Sequence, residues 1–220
     1  MEFYLDTANV NMVKKLYHSL PIAGVTTNPS IIAKEKKPIF EILNELQDIL
    51  GNQAQLFTQV LARSSEEMVE QAILLQEKIP NLVIKIPVTL EGINAIKQLS
   101  ARNIPTLGTA VYVAGQGFIA GLARAKYIAP YVNRIDNQGG NGIQVVHELQ
   151  TLLNLHCPQA KILAASFKTP RQVLDAMLAG CQAITISPDI AQLFLTDPAV
   201  FAAIDQFEQD WENAFNQTFI

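Results

Sequence analysis

The chain has 220 residues, 49% of them apolar and 16% charged. That balance excludes an intrinsically disordered protein, which needs low hydrophobicity and high net charge. Sixteen basic against twenty acidic residues leave a net charge of −4, and no basic stripe stands out, so a nucleic-acid partner is not expected.

The N-terminal MEFYLDTANV has neither a basic stretch nor an apolar one, so no signal peptide is expected there. Its Phe3–Asp6 is the first short apolar run. Gly24–Thr27 is the second, followed by Thr-Thr-Asn-Pro-Ser, a turn or a helix start. Lys37–Leu50 has helical spacing and ends at Gly51, a favourable residue just past a helix. Gln55–Val60 reads as the third strand, and Ser64-Ser65-Glu66-Glu67 opens the next helix with a cap and an acidic first turn. Leu82–Ile86 is the fourth strand, and Thr89-Leu90-Glu91 starts a helix running toward Leu99. Thr106–Thr109 then leads into the small, apolar Ala114–Ala123, and Tyr127–Tyr131 into helical Gly142–Leu155. Lys161–Ala165 is the seventh strand. Its helix, Thr169–Leu178, has Thr169 as N-cap and Pro170 at the first helical position. Ala183–Ile186 is the eighth. Pro198 to Ile220 is amphipathic, with Val200, Phe201, Ile204, Phe207, Trp211 and Phe215 at helical spacing. It follows the eighth strand and a short helix, so closing a barrel does not require it. Its aromatics must bury either on their own barrel or on a neighbouring subunit.

Strands alternating with helices over short links imply parallel strands joined by right-handed crossovers. Near-continuous apolar runs suit strands covered on both faces. Eight units predict an α/β fold, a (β/α)8 TIM barrel with an extra C-terminal helix, as one domain over residues 1–220. A doubly wound open sheet is the competing architecture, but no G-x-G-x-x-G follows the first strand. No run of about 18 apolar residues exists, so no membrane span is expected. Cys157 and Cys181 lie far apart and read as reduced thiols of a cytoplasmic protein.

Barrel active sites lie at the carboxyl ends of the strands. Polar groups collect there: Asp6, Thr26, Thr27, Asn28, Gln59, Lys85, Thr109, Tyr131, Arg134 and Ser166. In Leu82-Val83-Ile84-Lys85-Ile86-Pro87 alternation places Leu82, Ile84 and Ile86 on one face and Val83 with Lys85 on the other. The aliphatics suit the layer between sheet and helices, which leaves Lys85 pointing into the barrel. Desolvation lowers a lysine pKa, and a neutral amine attacks carbonyls to form a Schiff base. Pairing with Asp6 is the other reading, and the two can coexist. Tyr131 can carry protons or be a core aromatic. Gln59 can hold a water or fill a barrel layer. Asn28 and Thr26 can orient substrate hydroxyls. Arg134 and Ser166 suggest an anion site, unless Arg134 pairs with Asp136; Lys168 adds charge there or is solvated. Gly139-Gly140-Asn141-Gly142 lacks the Lys-Ser/Thr of a nucleotide loop. His18, His147 and His156 do not cluster at strand ends, so neither a metal nor another cofactor is indicated. The remaining lysines, Lys34 among them, read as solvated.

In combination, Leu5-Asp6-Thr7, Gly24-Val25-Thr26-Thr27-Asn28-Pro29-Ser30, Val83-Ile84-Lys85-Ile86-Pro87-Val88-Thr89, Pro130-Tyr131-Val132-Asn133-Arg134-Ile135-Asp136 and Ala164-Ala165-Ser166-Phe167-Lys168 resemble the transaldolase family over essentially the whole chain. The short-chain members called fructose-6-phosphate aldolase are nearest in pattern. The resemblance implies a class I aldolase with Lys85 as the Schiff-base lysine. Asp6, Asn28 and Thr109 would position hydroxyls or relay protons, and Arg134 with Ser166 would hold phosphate. The substrate implied is fructose 6-phosphate, cleaved to dihydroxyacetone and glyceraldehyde 3-phosphate. A homo-oligomer is implied too, a decamer of two pentamers in which the C-terminal helix reaches a neighbour. The competing activity is transaldolase, which transfers the three-carbon unit to a sugar phosphate. That activity goes with a glutamate on strand three and a phenylalanine at the strand-six position. Gln59 and Tyr131 stand there instead, which favours the aldolase. A barrel that binds phosphosugars without catalysis is a further class, against which the filled strand ends argue.

Overall fold

The eight apolar runs form eight parallel strands in a computed structural model that describes residues 1–219. They are β1 (Glu2–Asp6), β2 (Gly24–Thr26), β3 (Gln55–Gln59), β4 (Val83–Pro87), β5 (Thr106–Val111), β6 (Tyr127–Pro130), β7 (Lys161–Ala164) and β8 (Ala183–Ile186). Each pairs with the next, and β8 pairs with β1, so the barrel closes. Alternation then sorts the side chains into two cores. Tyr4, Phe57, Val83, Leu107, Tyr127 and Leu163 fill the interior. Leu5, Val25, Leu56, Ile84, Ile86, Ile128, Ile162 and Ile184 face outward into the layer beneath the helices.

The helices are α1 (Val10–Tyr17), α2 (Pro29–Glu35), α3 (Ile39–Leu50), α4 (Ser65–Lys78), α5 (Leu90–Ala101), α6 (Ala114–Leu122), α7 (Val132–Asn137), α8 (Gly142–His156), α9 (Pro170–Leu178), α10 (Pro188–Leu193) and α11 (Pro198–Phe215). Ser64, Thr89 and Thr169 accept backbone N–H groups at the starts of α4, α5 and α9, as their sequence positions predict. α3 begins at Ile39 and not at Lys37, because Pro38 takes the N-cap position with extended backbone. Leu82 lies outside β4, and β5 runs two residues past Thr109 with a shift of register between Gly108 and Val111.

The amino end of the barrel is plugged. Glu2 Oε2 accepts from the hydroxyls of Tyr4 (2.8 Å) and Tyr127 (2.9 Å), and Glu2 Oε1 pairs with Lys161. The carboxyl end is left open. α11 stands apart: none of its described side chains is buried, and Phe207 and Phe215 are exposed. Its aromatics therefore do not bury on their own barrel. Ile220, the last residue of that amphipathic stretch, lies outside the described residues.

Candidate active site

A cavity of about 510 Å³ opens at the carboxyl ends of the strands. Asp6, Thr26, Asn28, Lys85, Tyr131, Arg134, Ser166 and Lys168 all line it. Gln59 and Thr109 do not; they stand beside it, on the adjoining strands. Gln59 is paired in register with Lys85, and Thr109 reaches Tyr131.

Lys85 occupies the position that strand alternation assigns it. Val83, two residues below, sits in the interior core, while Leu82, Ile84 and Ile86 pack outward. Lys85 is 5% exposed, and its amine donates to the carbonyl of Thr27 at 2.6 Å. Burial pushes its pKa below the ordinary lysine range; Asp6 opposes that shift and Arg134 adds to it. Asp6 and Lys85 act on each other through the field, since each has a different direct partner. The hydroxyl of Thr26 donates to Asp6 Oδ1 at 2.6 Å and lies 2.7 Å from the hydroxyl of Thr185. That chain holds the carboxylate still and commits the Thr26 proton, so Thr26 braces Asp6.

Tyr131 ends the polypeptide run of β6 and caps α7. Its hydroxyl is 2.7 Å from that of Thr109. Burial raises the phenol's pKa, while Thr109, the charge of Arg134 and the backbone of Ala110 pull it back. The group is therefore a protonated acid at neutral pH, with its phenolate form partly stabilised. The Arg134 guanidinium lies 4.7 Å from the centre of the Tyr131 ring. It does not pair with Asp136. That carboxylate instead accepts from the N–H of Gly142 (2.7 Å) and from Gln172 (2.9 Å), tying α7 to the starts of α8 and α9. Ser166 takes a left-handed backbone (φ 64°), and its carbonyl accepts from the N–H of Asn133 at 2.7 Å. This locks the turn that leads to exposed Lys168.

Asn28 is two-faced. Its Oδ1 caps α2 by accepting from Ile31 N–H at 3.0 Å, which leaves its amide N–H groups for the cavity. The short helix that it starts adds groups not singled out from sequence. Ser30 and Lys34 both line the cavity; they are four residues apart, and that helical spacing was the available signal. Asn133, Asn137, Thr185 and Ser187 also line it. His147 and His156 are exposed on α8 and His18 just past the end of α1, and none of the three lines the cavity.

The site thus joins a buried amine of lowered basicity, one carboxylate, one phenol and a rim bearing Lys34, Arg134 and Lys168. Among the described residues none of those three rim cations forms a salt bridge. Such a rim suits an anionic, hydroxyl-rich carbonyl compound. No helix is long and apolar enough to cross a membrane among the described residues. A sequence model of the family described as transaldolase/fructose-6-phosphate aldolase matches residues 3–219.

Proposed function

Since the chain belongs to the transaldolase/fructose-6-phosphate aldolase family, an enzyme family of the class I aldolase and transaldolase type, we propose that it is a Schiff-base aldolase that reversibly cleaves fructose 6-phosphate. The products are dihydroxyacetone and glyceraldehyde 3-phosphate. The observation that carries this reading is the buried Lys85 amine, facing the cavity with its basicity depressed by desolvation.

In the proposed reaction the neutral amine adds to the C2 ketone, and loss of water gives an iminium. The C4 hydroxyl proton passes to a water held with Gln59, the C3–C4 bond breaks and its electron pair passes to the iminium nitrogen, leaving an enamine; that proton later restores the Tyr131 phenol. Tyr131 then protonates C3, directly or through a water held with Gln59. Hydrolysis of the resulting iminium frees dihydroxyacetone and restores Lys85. Asp6, braced by Thr26, accepts substrate hydroxyls and assists proton transfer at the carbinolamine. Asn28 orients a donor hydroxyl through its free amide. Arg134, Ser166 and Lys168 hold the phosphate far from the breaking bond, so that remote binding orients the reacting carbons. The contact between Thr109 and the Tyr131 phenol favours aldolase over transaldolase, because it supplies an acid that can discharge the enamine without a second sugar.

Product analysis with fructose 6-phosphate, with and without erythrose 4-phosphate, tests the activity. Free dihydroxyacetone without acceptor is expected. Sedoheptulose 7-phosphate formed only when acceptor is present would assign transaldolase instead. The unburied aromatic face of α11 supports docking onto neighbouring copies in a homo-oligomer, for which the resemblance implies a decamer of two pentamers.

A further inference from the structure

Strand β5 carries one residue more than its alternation accommodates. Leu107 belongs to the interior core, and Thr109 reaches inward to Tyr131 at 2.7 Å. Continued alternation would turn Val111 inward as well. Val111 instead is fully buried in the outer core, and the ladder with β6 shifts between Gly108 and Val111. Ala110 absorbs the difference. Its φ is 58°, the left-handed region that disfavours any residue with a Cβ. The other described non-glycine residues of positive φ are Lys36, Asn81, Asn103, Arg124, Ser166 and Asn216, all between elements or at helix ends; Ala110 alone lies inside a strand. This is a β-bulge, a feature that re-aims side chains beside active sites.

What it re-aims is specific. Thr109, immediately before the bulge, meets the Tyr131 hydroxyl at 2.7 Å. Past the bulge, the ring of Tyr112 packs edge-on to the Tyr131 ring, 5.9 Å between centres. The Arg134 guanidinium, whose charged form Tyr112 favours, in turn covers the Tyr131 ring at 4.7 Å. An unbulged strand would put the branched side chain of Val111 toward the interior and carry Tyr112 away.

We propose that the bulge at Ala110 is a positioning device for the proton carrier. Ala110 is a positioning residue that aims Thr109 at the Tyr131 oxygen, and Tyr112 is the brace that fixes the Tyr131 ring beneath Arg134. The proposal rests on the aldolase reading of Lys85 and Tyr131 and deepens it.

The test separates the proton step from Schiff-base formation. Exchange of the carbon-bound hydrogens of dihydroxyacetone with D2O requires protonation of the enamine, whereas borohydride trapping of dihydroxyacetone on Lys85 requires only the iminium. Ala110→Gly keeps the left-handed backbone without a Cβ and is expected to exchange within about twofold of the parent. Ala110→Val places a β-branched residue where φ is positive. It is expected to slow exchange about tenfold, part of the 10²–10⁴ that acid–base catalysis supplies, with trapping unchanged. Tyr112→Ala, at a half-buried position, serves where Ala110→Val does not fold, with the same split expected. Exchange in Ala110→Val and Tyr112→Ala equal to that of the parent overturns the proposal, as does trapping that falls in step with exchange. A parent that is not trapped at all overturns the aldolase reading, and the proposal with it.

Discussion

Burying Lys85 against the Thr27 carbonyl withdraws an ammonium from water, and the fold bears that penalty whenever the amine is charged. Burial dominates the shift, Asp6 opposes it and Arg134 reinforces it. The sign fixes a stability prediction. The folded-state pKa lies below that of the unfolded chain, so between the two values the unfolded state binds more protons and stability rises with pH. Below that window the penalty is complete. Lys85→Met is therefore expected to raise the melting temperature at neutral and acidic pH, with the gain shrinking as pH climbs toward 10.5, the ordinary lysine value. Thermal unfolding of parent and variant across pH checks this. A variant less stable than the parent at neutral pH would mean that the pocket welcomes the charged amine. In the proposed mechanism the same desolvation that weakens the fold makes the amine a nucleophile, so stability and chemistry would pull against each other at one atom.

Arg134 depends on a helix too short to announce itself. α7 has six residues, and Asp136 on it anchors to Gly142 and Gln172, so the guanidinium is presented to the cavity by three helices at once. Arg134→Ala removes charge-assisted bonds of roughly 1.5–3 kcal/mol, and KM for glyceraldehyde 3-phosphate as acceptor is expected to rise about 10- to 100-fold. KM for unphosphorylated glyceraldehyde should barely change. Equal effects on both would remove the phosphate assignment. The strands and the long helices were legible in the sequence because their signals are local. Parallel strands covered on both faces read as apolar runs, and Ser64, Thr89 and Thr169 are strong caps. α1 and α7 were not legible: about two turns or fewer give no period, and the Asn9 cap of α1 looks like a loop residue. The inward position of Lys85 followed from alternation alone. Ala110 left no trace, since alanine carries no turn preference and the strand read from the sequence stops at Thr109, one residue before it. Lys34 is exposed, as read, but its place on the cavity rim was not legible, because its helix, the seven residues after Asn28, read only as a turn or helix start.

Taken whole, the molecule is a barrel sealed below by Glu2, Tyr4, Tyr127 and Lys161, open above, with one unattached amphipathic helix. An apolar helix face left in water favours association with another surface. Replacing Phe207 and Phe215 together by Asp is expected to reduce the sedimenting mass while leaving the barrel's circular dichroism unchanged. An unaltered mass would take α11 out of assembly. The interior plug and the open mouth together confine chemistry to one end, and there Lys85 is the group on which everything else converges. The most direct test is borohydride reduction in the presence of dihydroxyacetone, followed by mass analysis of the peptides. A reduced three-carbon adduct on the peptide containing Lys85, absent from Lys85→Ala, is the predicted result. An unmodified Lys85, or an adduct on another lysine, would contradict the account.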